Sequence, residues 1–277
     1  MGYSSPRLIA WTTVVAVVMT TCWGTPSRAE MILRHTGAND PATEGWRFDS
    51  KGTGTVTTTA VSDDEGSGYD AWSIRDYSTT DYGTYGQDIT AQNASDAILN
   101  GWALRLRLRV VEDDLNPGML IRSYVHLGGK FYYLKFGSNG GKPQVGLRTT
   151  SSATTIITVD DASNGYHLYE LVYDPDEETA DLFVDGVVRY PGYGGYNYNY
   201  PDELSWGSGA ESPSGGTGNW NLVEFETLGI VPEPSTFALL AVGLVGLAAS
   251  RRRRKVWAPG LPDAFVVAED PTTERAG

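Results

Sequence analysis

From Trp102 to Val110 the residues Trp102, Leu104, Leu106, Leu108 and Val110 alternate strictly with Ala103, Arg105, Arg107 and Arg109. Successive side chains of a β-strand point to opposite faces, so this pattern is a half-buried strand with one apolar face and one wet face. Almost nothing elsewhere has helical periodicity. Short runs rich in Thr, Tyr, Val and Gly are broken by Gly, Asn, Asp and Pro, which is the pattern of an all-β domain. Further strands are expected at Gly54 to Val61, Ala71 to Asp76, Met119 to His126, Phe131 to Phe136, Gln144 to Thr149, Thr154 to Val159, Tyr166 to Tyr173, Ala180 to Tyr190 and Asn219 to Thr227. Their connectors carry turn chemistry: Asn116-Pro-Gly118, Gly128-Gly129, Ser138-Asn-Gly-Gly141 and Asn164-Gly165.

With no crossover helices, so many strands must bury one face of each sheet against a second sheet, which makes a sandwich or jelly roll the natural architecture. Gln92 to Leu99 reads either as a short helix or as a loop entering the first long strand, with the loop the favoured expectation. No internal repeat is present, which argues against a propeller or solenoid. The folded part, about Glu30 to Leu228, has the length of one domain and is long enough to build its core without disulfide staples.

Both ends carry export signals. Arg7 precedes the apolar stretch Leu8 to Met19, and Ser27-Arg28-Ala29 offers small residues where a signal peptidase reads, so cleavage after Ala29 is expected. Cys22, the one cysteine, leaves with that peptide; Thr20 and Thr21 fit poorly the positions that would precede a lipidated cysteine. The mature chain then has no thiol chemistry and no disulfide. At the other end Val231-Pro-Glu-Pro-Ser235 is followed by the apolar run Phe237 to Ala249 and by Arg251, Arg252, Arg253, Arg254 and Lys255. That order supplies accessible backbone for a protease, an insertable anchor, and charges that stay on the cytoplasmic side. The 13-residue run is shorter than the roughly 20 residues of an ordinary spanning helix, but a buried core helix rarely ends in five cations, and Ser235, Thr236 and Ser250 can lengthen the span.

This tail resembles the PEP-CTERM sorting signal of Gram-negative bacteria. The resemblance implies recognition at Pro232, Glu233 and Pro234 by an exosortase-type processing protease, membrane insertion by Phe237 to Ala249, and topology set by Arg251, Arg252, Arg253, Arg254 and Lys255. It also implies a producer of exopolysaccharide or biofilm, with the protein anchored in the membrane in transit and then placed at the cell surface or in the extracellular matrix. Members of that family usually stop after the basic cluster, whereas this chain continues from Val256 to Gly277 with three prolines and four acidic residues, a disordered composition. The expected organisation is a signal peptide over 1–29, a β-sandwich over 30–230, the sorting and membrane segment over 231–255, and a disordered tail over 256–277.

Within the sandwich, Tyr166-His-Leu-Tyr-Glu-Leu-Val-Tyr173, an Asp174-Pro175 turn, and Thr179-Ala-Asp-Leu-Phe-Val-Asp-Gly-Val187 follow one another, with Trp206-Gly207 and Asn219-Trp220-Asn221 downstream. The segment from Trp102 to Phe225 resembles the concanavalin A-like or laminin G-like jelly roll, and the fold implied is an all-β, two-sheet sandwich.

Residues 30–236 hold 30 acidic and 13 basic side chains, a net charge of −17, which argues against a nucleic-acid surface. No metalloprotease motif or nucleophile elbow is present, and His35, His126 and His167 are too few and too dispersed to define a zinc site. A retaining glycosidase needs two carboxylates about 5 Å apart. Glu224 and Glu226 share a strand face, but their upstream neighbour on it is Leu222. The clusters Glu112-Asp113-Asp114 and Asp174, Asp176, Glu177, Glu178 read as solvated caps. No catalytic residue is assigned. Calcium suits carboxylate-rich loops, and Asp63-Asp64-Glu65, Asp160-Asp161 and Asp174-Pro175-Asp176 are such loops, though none has EF-hand spacing and no ligand is assigned.

Two features point to binding. Tyr196, Tyr198 and Tyr200 in Tyr193-Gly-Gly-Tyr-Asn-Tyr-Asn-Tyr200 would share one face if extended; phenol rings stack on sugars while hydroxyls and Asn amides bond sugar hydroxyls. The alternative is a loop whose rings pack back onto the sandwich. The second feature is the row Arg105, Arg107, Arg109, whose mutual repulsion requires either acids on neighbouring strands or an anionic ligand such as an acidic exopolysaccharide. The leading expectation is an exported, non-catalytic surface or matrix protein that binds carbohydrate or another envelope component. A structural or adhesive protein-binding module ranks second and a glycoside hydrolase third.

Overall fold

The structure is a computed structural model that describes residues 29–51, 56–62, 64–76, 82–113, 121–151, 153–160, 162–163, 165–209 and 216–229. The described strands form two eight-stranded sheets. In sheet A, β13 (Val187–Tyr193), β12 (Thr179–Val184), β11 (His167–Asp174), β6 (Trp102–Asp113), β16 (Gly216–Thr227), β4 (Ala71–Asp76) and β3 (Val56–Val61) follow in space, and β1 (Glu30–Thr36) also pairs with β16. In sheet B the order is β10 (Thr154–Thr158), β9 (Lys142–Arg148), β8 (Lys130–Asn139), β7 (Ile121–Leu127), β15 (Glu203–Ser208), β5 (Tyr82–Asp88) and β2 (Arg47–Lys51), with the short β14 (Tyr196–Asn197) beside β8. Every pairing is antiparallel. The arrangement is the two-sheet jelly-roll sandwich that the alternation required.

In β6, Leu104, Leu106 and Leu108 are buried in the core while Arg105, Arg107 and Arg109 lie on the outer face of sheet A. Leu134, Phe136, Leu204 and Trp206 of sheet B belong to the same core. Tight turns set the registers. Gly128-Gly129, Gly140-Gly141 and Asp185-Gly186 all have positive φ at both residues, the conformation that matches the twist of a two-residue hairpin. The turn at Asp185 divides the single strand expected over Ala180 to Tyr190 into β12 and β13.

The segment expected as a loop, Gln92 to Leu99, lies in a helix, α1 (Ala91–Asn100). Thr90 caps it by accepting a hydrogen bond from Asn93 N at 3.2 Å, and Ala94 and Ala97 bury its narrow apolar side. Gly101, at φ 86°, ends it where a Cβ would press on Tyr173 O. Small residues gave this helix too weak an apolar stripe to register as periodicity.

At one end of the core His35 is buried, stacked on Trp206 at 4.8 Å, and bonded through Nδ1 to Glu44 Oε2 at 2.6 Å. Burial pulls its pKa below the ordinary histidine value, an effect that outweighs the opposing influence of Glu44. The unfolded chain therefore takes up the proton more readily than the folded one. Stability from this group is complete above the unfolded value of about 6.5 and declines as pH falls below it. The full chain is expected to lose urea resistance between pH 7.5 and pH 5. His35→Phe, which keeps the stack, should flatten that slope; an equally steep slope in the variant would refute the assignment.

Candidate functional site

The outer face of sheet B carries the expected tyrosines. After β13 the chain turns through Gly194 and Gly195 and lays β14 antiparallel to the start of β8, so that Tyr196 faces Phe131. Tyr198 N then donates to Gly129 O at 3.0 Å. Ring centroids of Tyr196 and Tyr198 are 6.1 Å apart, and those of Tyr198 and Tyr200 are 6.2 Å apart with 30° between planes. Tyr198 and Tyr200 are 49% and 44% exposed. Beneath them Phe131 lies 5.3 Å from Tyr196 and 5.4 Å from Tyr198, and stacks on Tyr124 at 4.7 Å. The rings form a row in which Tyr196 packs back against Phe131 while Tyr198 and Tyr200 stay open.

Buried His126 holds this segment in place. Its Nε2 is 2.7 Å from Tyr198 O, and since a carbonyl only accepts, that nitrogen carries the proton. Asp202 Oδ1 accepts from Gly128 N at 2.9 Å, tying the far end of the row to the β7–β8 turn. His126 is thus a positioning residue for the tyrosine row.

Beyond Tyr200 lies Glu203, the first residue of β15. Tyr124 donates its hydroxyl to Glu203 Oε1 at 2.8 Å, and Arg47 bridges Glu203 and Asp88, each at 3.5 Å. Gly86 leaves room for this carboxylate, since a Cβ there would lie 3.2 Å from Oε1. Burial raises the pKa of Glu203 against the lowering influence of Tyr124 and Arg47. The Glu203 charge, followed by burial, raises that of Tyr200. Glu203 did not emerge from the sequence because β15 is buried at every position and shows no alternation.

The arginine row occupies the opposite sheet, so arginines and tyrosines do not form one groove. Arg105 pairs with Glu170 at 3.0 Å and Glu226 at 2.6 Å, and Arg109 with Asp64 at 3.3 Å. Arg107 donates to Asn221 Oδ1 at 3.3 Å and lies 5.1 Å over the Tyr69 ring. It lines an open cleft of about 800 Å³ with Arg34, Asn39, Asp70 and Asn221. The cleft forms where β16 exchanges β4 for β1 as its partner near Asn221. The two candidate acids of β16 are both in ion pairs, Glu224 with Arg34 at 3.0 Å and Glu226 with Arg105.

Among the described residues, no group of three or more His, Cys, Asp or Glu is arranged to hold a metal ion. Of the calcium candidates, Asp64 serves Arg109, Tyr166 and Asn219; Asp160 pairs with Lys142 at 2.7 Å; and Asp174 accepts from Asp176 N at 2.8 Å. Asp63 and Asp161 lie outside the described residues.

Residues 231–254 match the family of the PEP-CTERM protein-sorting motif. The chain carries a PEP-CTERM sorting signal. The signal implies sorting toward the cell surface and processing by an exosortase-type protease, and it contains Pro232, Glu233, Pro234 and Arg251 to Arg254. These residues, like the expected signal peptide and the expected membrane segment, lie outside the described part. Among the described residues no helix is long and apolar enough to cross a membrane.

Ahead of the sorting signal, the sandwich is similar to a carbohydrate esterase from Shiga toxin-encoding bacteriophage phi24B, with a TM-score of 0.54 and 12% identity over 72% of this chain and 99% of that one. Botulinum neurotoxin type C aligns at a TM-score of 0.45 and 7% identity, covering 76% of this chain and 51% of the toxin chain. A Bacillus licheniformis β-glucanase aligns at 0.42 and 12%, covering 70% and 96%. At these identities the likeness to the phage protein is one of fold. No curated protein matches in sequence.

Proposed function

We propose that the sandwich is a non-catalytic glycan-binding module of an exported protein that the sorting signal delivers to the cell surface or matrix, and that the outer face of sheet B is its binding face. The observation that carries this reading is the exposed pair Tyr198 and Tyr200, with 30° between their planes, in which Tyr198 lies against Phe131 and has its carbonyl held by His126, and Tyr200 meets the His126 ring edge-on. Rings held this way present large area at little entropic cost, and sugars stack on them. Arg47, Asp88, Glu203 and the Tyr124 hydroxyl supply polar groups alongside. The similar phage protein is a carbohydrate esterase, which supports the reading by analogy of fold alone.

The test is calorimetry of the purified full chain against the producing organism's exopolysaccharide and a panel of neutral glucans. Tyr198→Ala with Tyr200→Ala should weaken binding by about five- to 150-fold, as loss of two stacking rings at ~0.5–1.5 kcal/mol each implies. Unchanged affinity in the double variant, or no glycan bound by the wild type, would overturn this reading and favour a protein-contacting module. Release of reducing ends, abolished by Glu203→Gln, would make the face an active site and overturn the non-catalytic part.

A further inference from the structure

Arg107 differs from the two arginines that flank it on β6. In the antiparallel registers Arg105 lies opposite Glu170 of β11 and Glu224 of β16, whereas Arg107 lies opposite Leu168 and Leu222. Arg105 is answered by Glu170 and Glu226, and Arg109 by Asp64, all within 3.3 Å. Among the described residues no carboxylate reaches Arg107, whose polar contacts are Asn221 Oδ1 at 3.3 Å and the face of Tyr69 at 5.1 Å. A guanidinium has five N–H donors, so one neutral acceptor and one ring leave its charge and most of its hydrogen-bonding capacity for another partner.

The surroundings hold that charge in place rather than neutralise it. The β16–β6 register slips between Trp220 and Leu222, which makes Asn221 the extra residue of a bulge. Its Nδ2 donates to Asp70 O at 2.7 Å, which leaves Oδ1 for Arg107. Tyr69, under the guanidinium, packs in turn on Tyr166 at 5.0 Å. The open cleft that Arg107 lines, about 800 Å³, has the size of a small-ligand site, and Thr36, Asn39 and Asp70 supply polar groups to it. Its other cation, Arg34, is taken up by Glu224. Asp70 is exposed, and a carboxylate accepts up to about four hydrogen bonds, so it can serve a ligand hydroxyl beside its own contacts.

A ligand that satisfies this lining carries an anion for Arg107 and hydroxyl donors for Asp70 in one molecule. Acidic peptides offer the first, neutral sugars the second, and a sugar acid both. A dianion such as phosphate is opposed by Asp70 and by the net charge of −17 over residues 30–236. We infer that the cleft is a second binding site, for the carboxylate of a hexuronate. Arg107 takes the carboxylate in its fork, while Thr36, Asn39 and Asp70 meet the ring hydroxyls. The site lies on sheet A and stands independently of the glycan-binding reading of sheet B.

The experiment is calorimetry of the full chain against oligogalacturonate and oligomannuronate, each with its neutral methyl ester, and against polyglutamate. The expected result is that a uronate binds, that its ester binds about tenfold or more weakly, and that affinity falls as ionic strength rises. Arg107→Gln should lower uronate affinity about tenfold or more, and Arg107→Lys, which keeps the charge without the fork, should recover only part. Lys142→Gln, which removes an exposed cation of sheet B, should leave uronate affinity unchanged, as should Tyr198→Ala with Tyr200→Ala. That last comparison keeps the two sites apart, since neutral glucans report the tyrosine face and uronates the cleft. Uronate binding lost with the tyrosines and kept in Arg107→Gln would assign it to sheet B and overturn the inference. Equal losses from Arg107→Gln and Lys142→Gln would mean only a diffuse charge effect and overturn it too. Polyglutamate bound as tightly as the uronates would make the cleft a protein-contact site, and binding of neither uronate refutes it whatever the neutral glucans do. Should Arg107→Gln misfold by circular dichroism, the comparison of acid and ester on the wild type decides, and equal affinity for the two refutes the site.

Discussion

Trp206→Ala is expected to cost about 3–5 kcal/mol, the range for deleting a large buried aromatic. Trp206 is fully buried, stacked on His35 at 4.8 Å and on Tyr85 at 5.0 Å, with Trp220 at 5.2 Å and the edge of Trp46 at 5.7 Å. His35 and Trp220 come from sheet A and Tyr85 from sheet B, so the ring fastens the two layers together. Its neighbours are rigid aromatics that cannot collapse into the space, which places the cost high in the range. Domains are typically stable by about 5–15 kcal/mol, so this one change consumes a large share. For a domain of this size about 2–4 °C is lost per kcal/mol, which predicts a melting temperature lower by roughly 6–20 °C. Among the described residues the buried Trp206 Nε1 has no hydrogen-bond partner. Trp206→Phe, which keeps a ring and removes that donor, should therefore recover much of the loss. A phenylalanine variant as unstable as the alanine one would show that ring packing is not the main contribution.

Legibility in the sequence followed burial on one face. The strand β6 could be read residue by residue because only one of its faces is covered, and β4 was anticipated at its observed limits. The strand β15 escaped notice because both of its faces are covered, and β2 because all five of its residues are exposed; neither condition leaves a period of two. In β5 the glycines Gly83 and Gly86 interrupt the pattern where close packing against Phe48, Val56 and Glu203 requires them. The same logic governs the site. Tyr196, Tyr198 and Tyr200 lie within one short segment and were visible as a row. Arg107 was visible in its row, but that leucines rather than acids lie opposite it shows only through the β6–β11 and β6–β16 registers. Glu203 became conspicuous only once its neighbours were placed, since what sets it apart is burial beside Tyr124 and Arg47.

Asp64→Ala should cost about 3–5 kcal/mol, the usual penalty for removing one partner of a buried ion pair. Asp64 is buried in a short 3₁₀ turn, and its Oδ2 accepts from Asn219 Nδ2 at 2.8 Å, the Tyr166 hydroxyl at 3.0 Å and Arg109 Nη1 at 3.3 Å. Those donors belong to β16, the approach to β11, and β6, so a single carboxylate oxygen gathers the outer surface of sheet A. Alanine leaves all three donors desolvated and without this acceptor, whereas Asp64→Asn keeps the shape and one acceptor oxygen and should fall between. Combining Asp64→Leu with Arg109→Met should destabilise less than the two single changes together, because a desolvated pair replaced by apolar side chains no longer leaves a charge behind. Denaturant titration of the four proteins measures that coupling; additive losses, or an alanine variant within about 0.5 kcal/mol of wild type, would refute it. The same proteins also separate the stabilising contacts of sheet A from the binding face of sheet B. If Asp64 and Arg109 are structural and the tyrosine face binds, an Asp64 variant that is still folded at the assay temperature loses stability and keeps its affinity for neutral glycan, while Tyr198→Ala with Tyr200→Ala does the reverse.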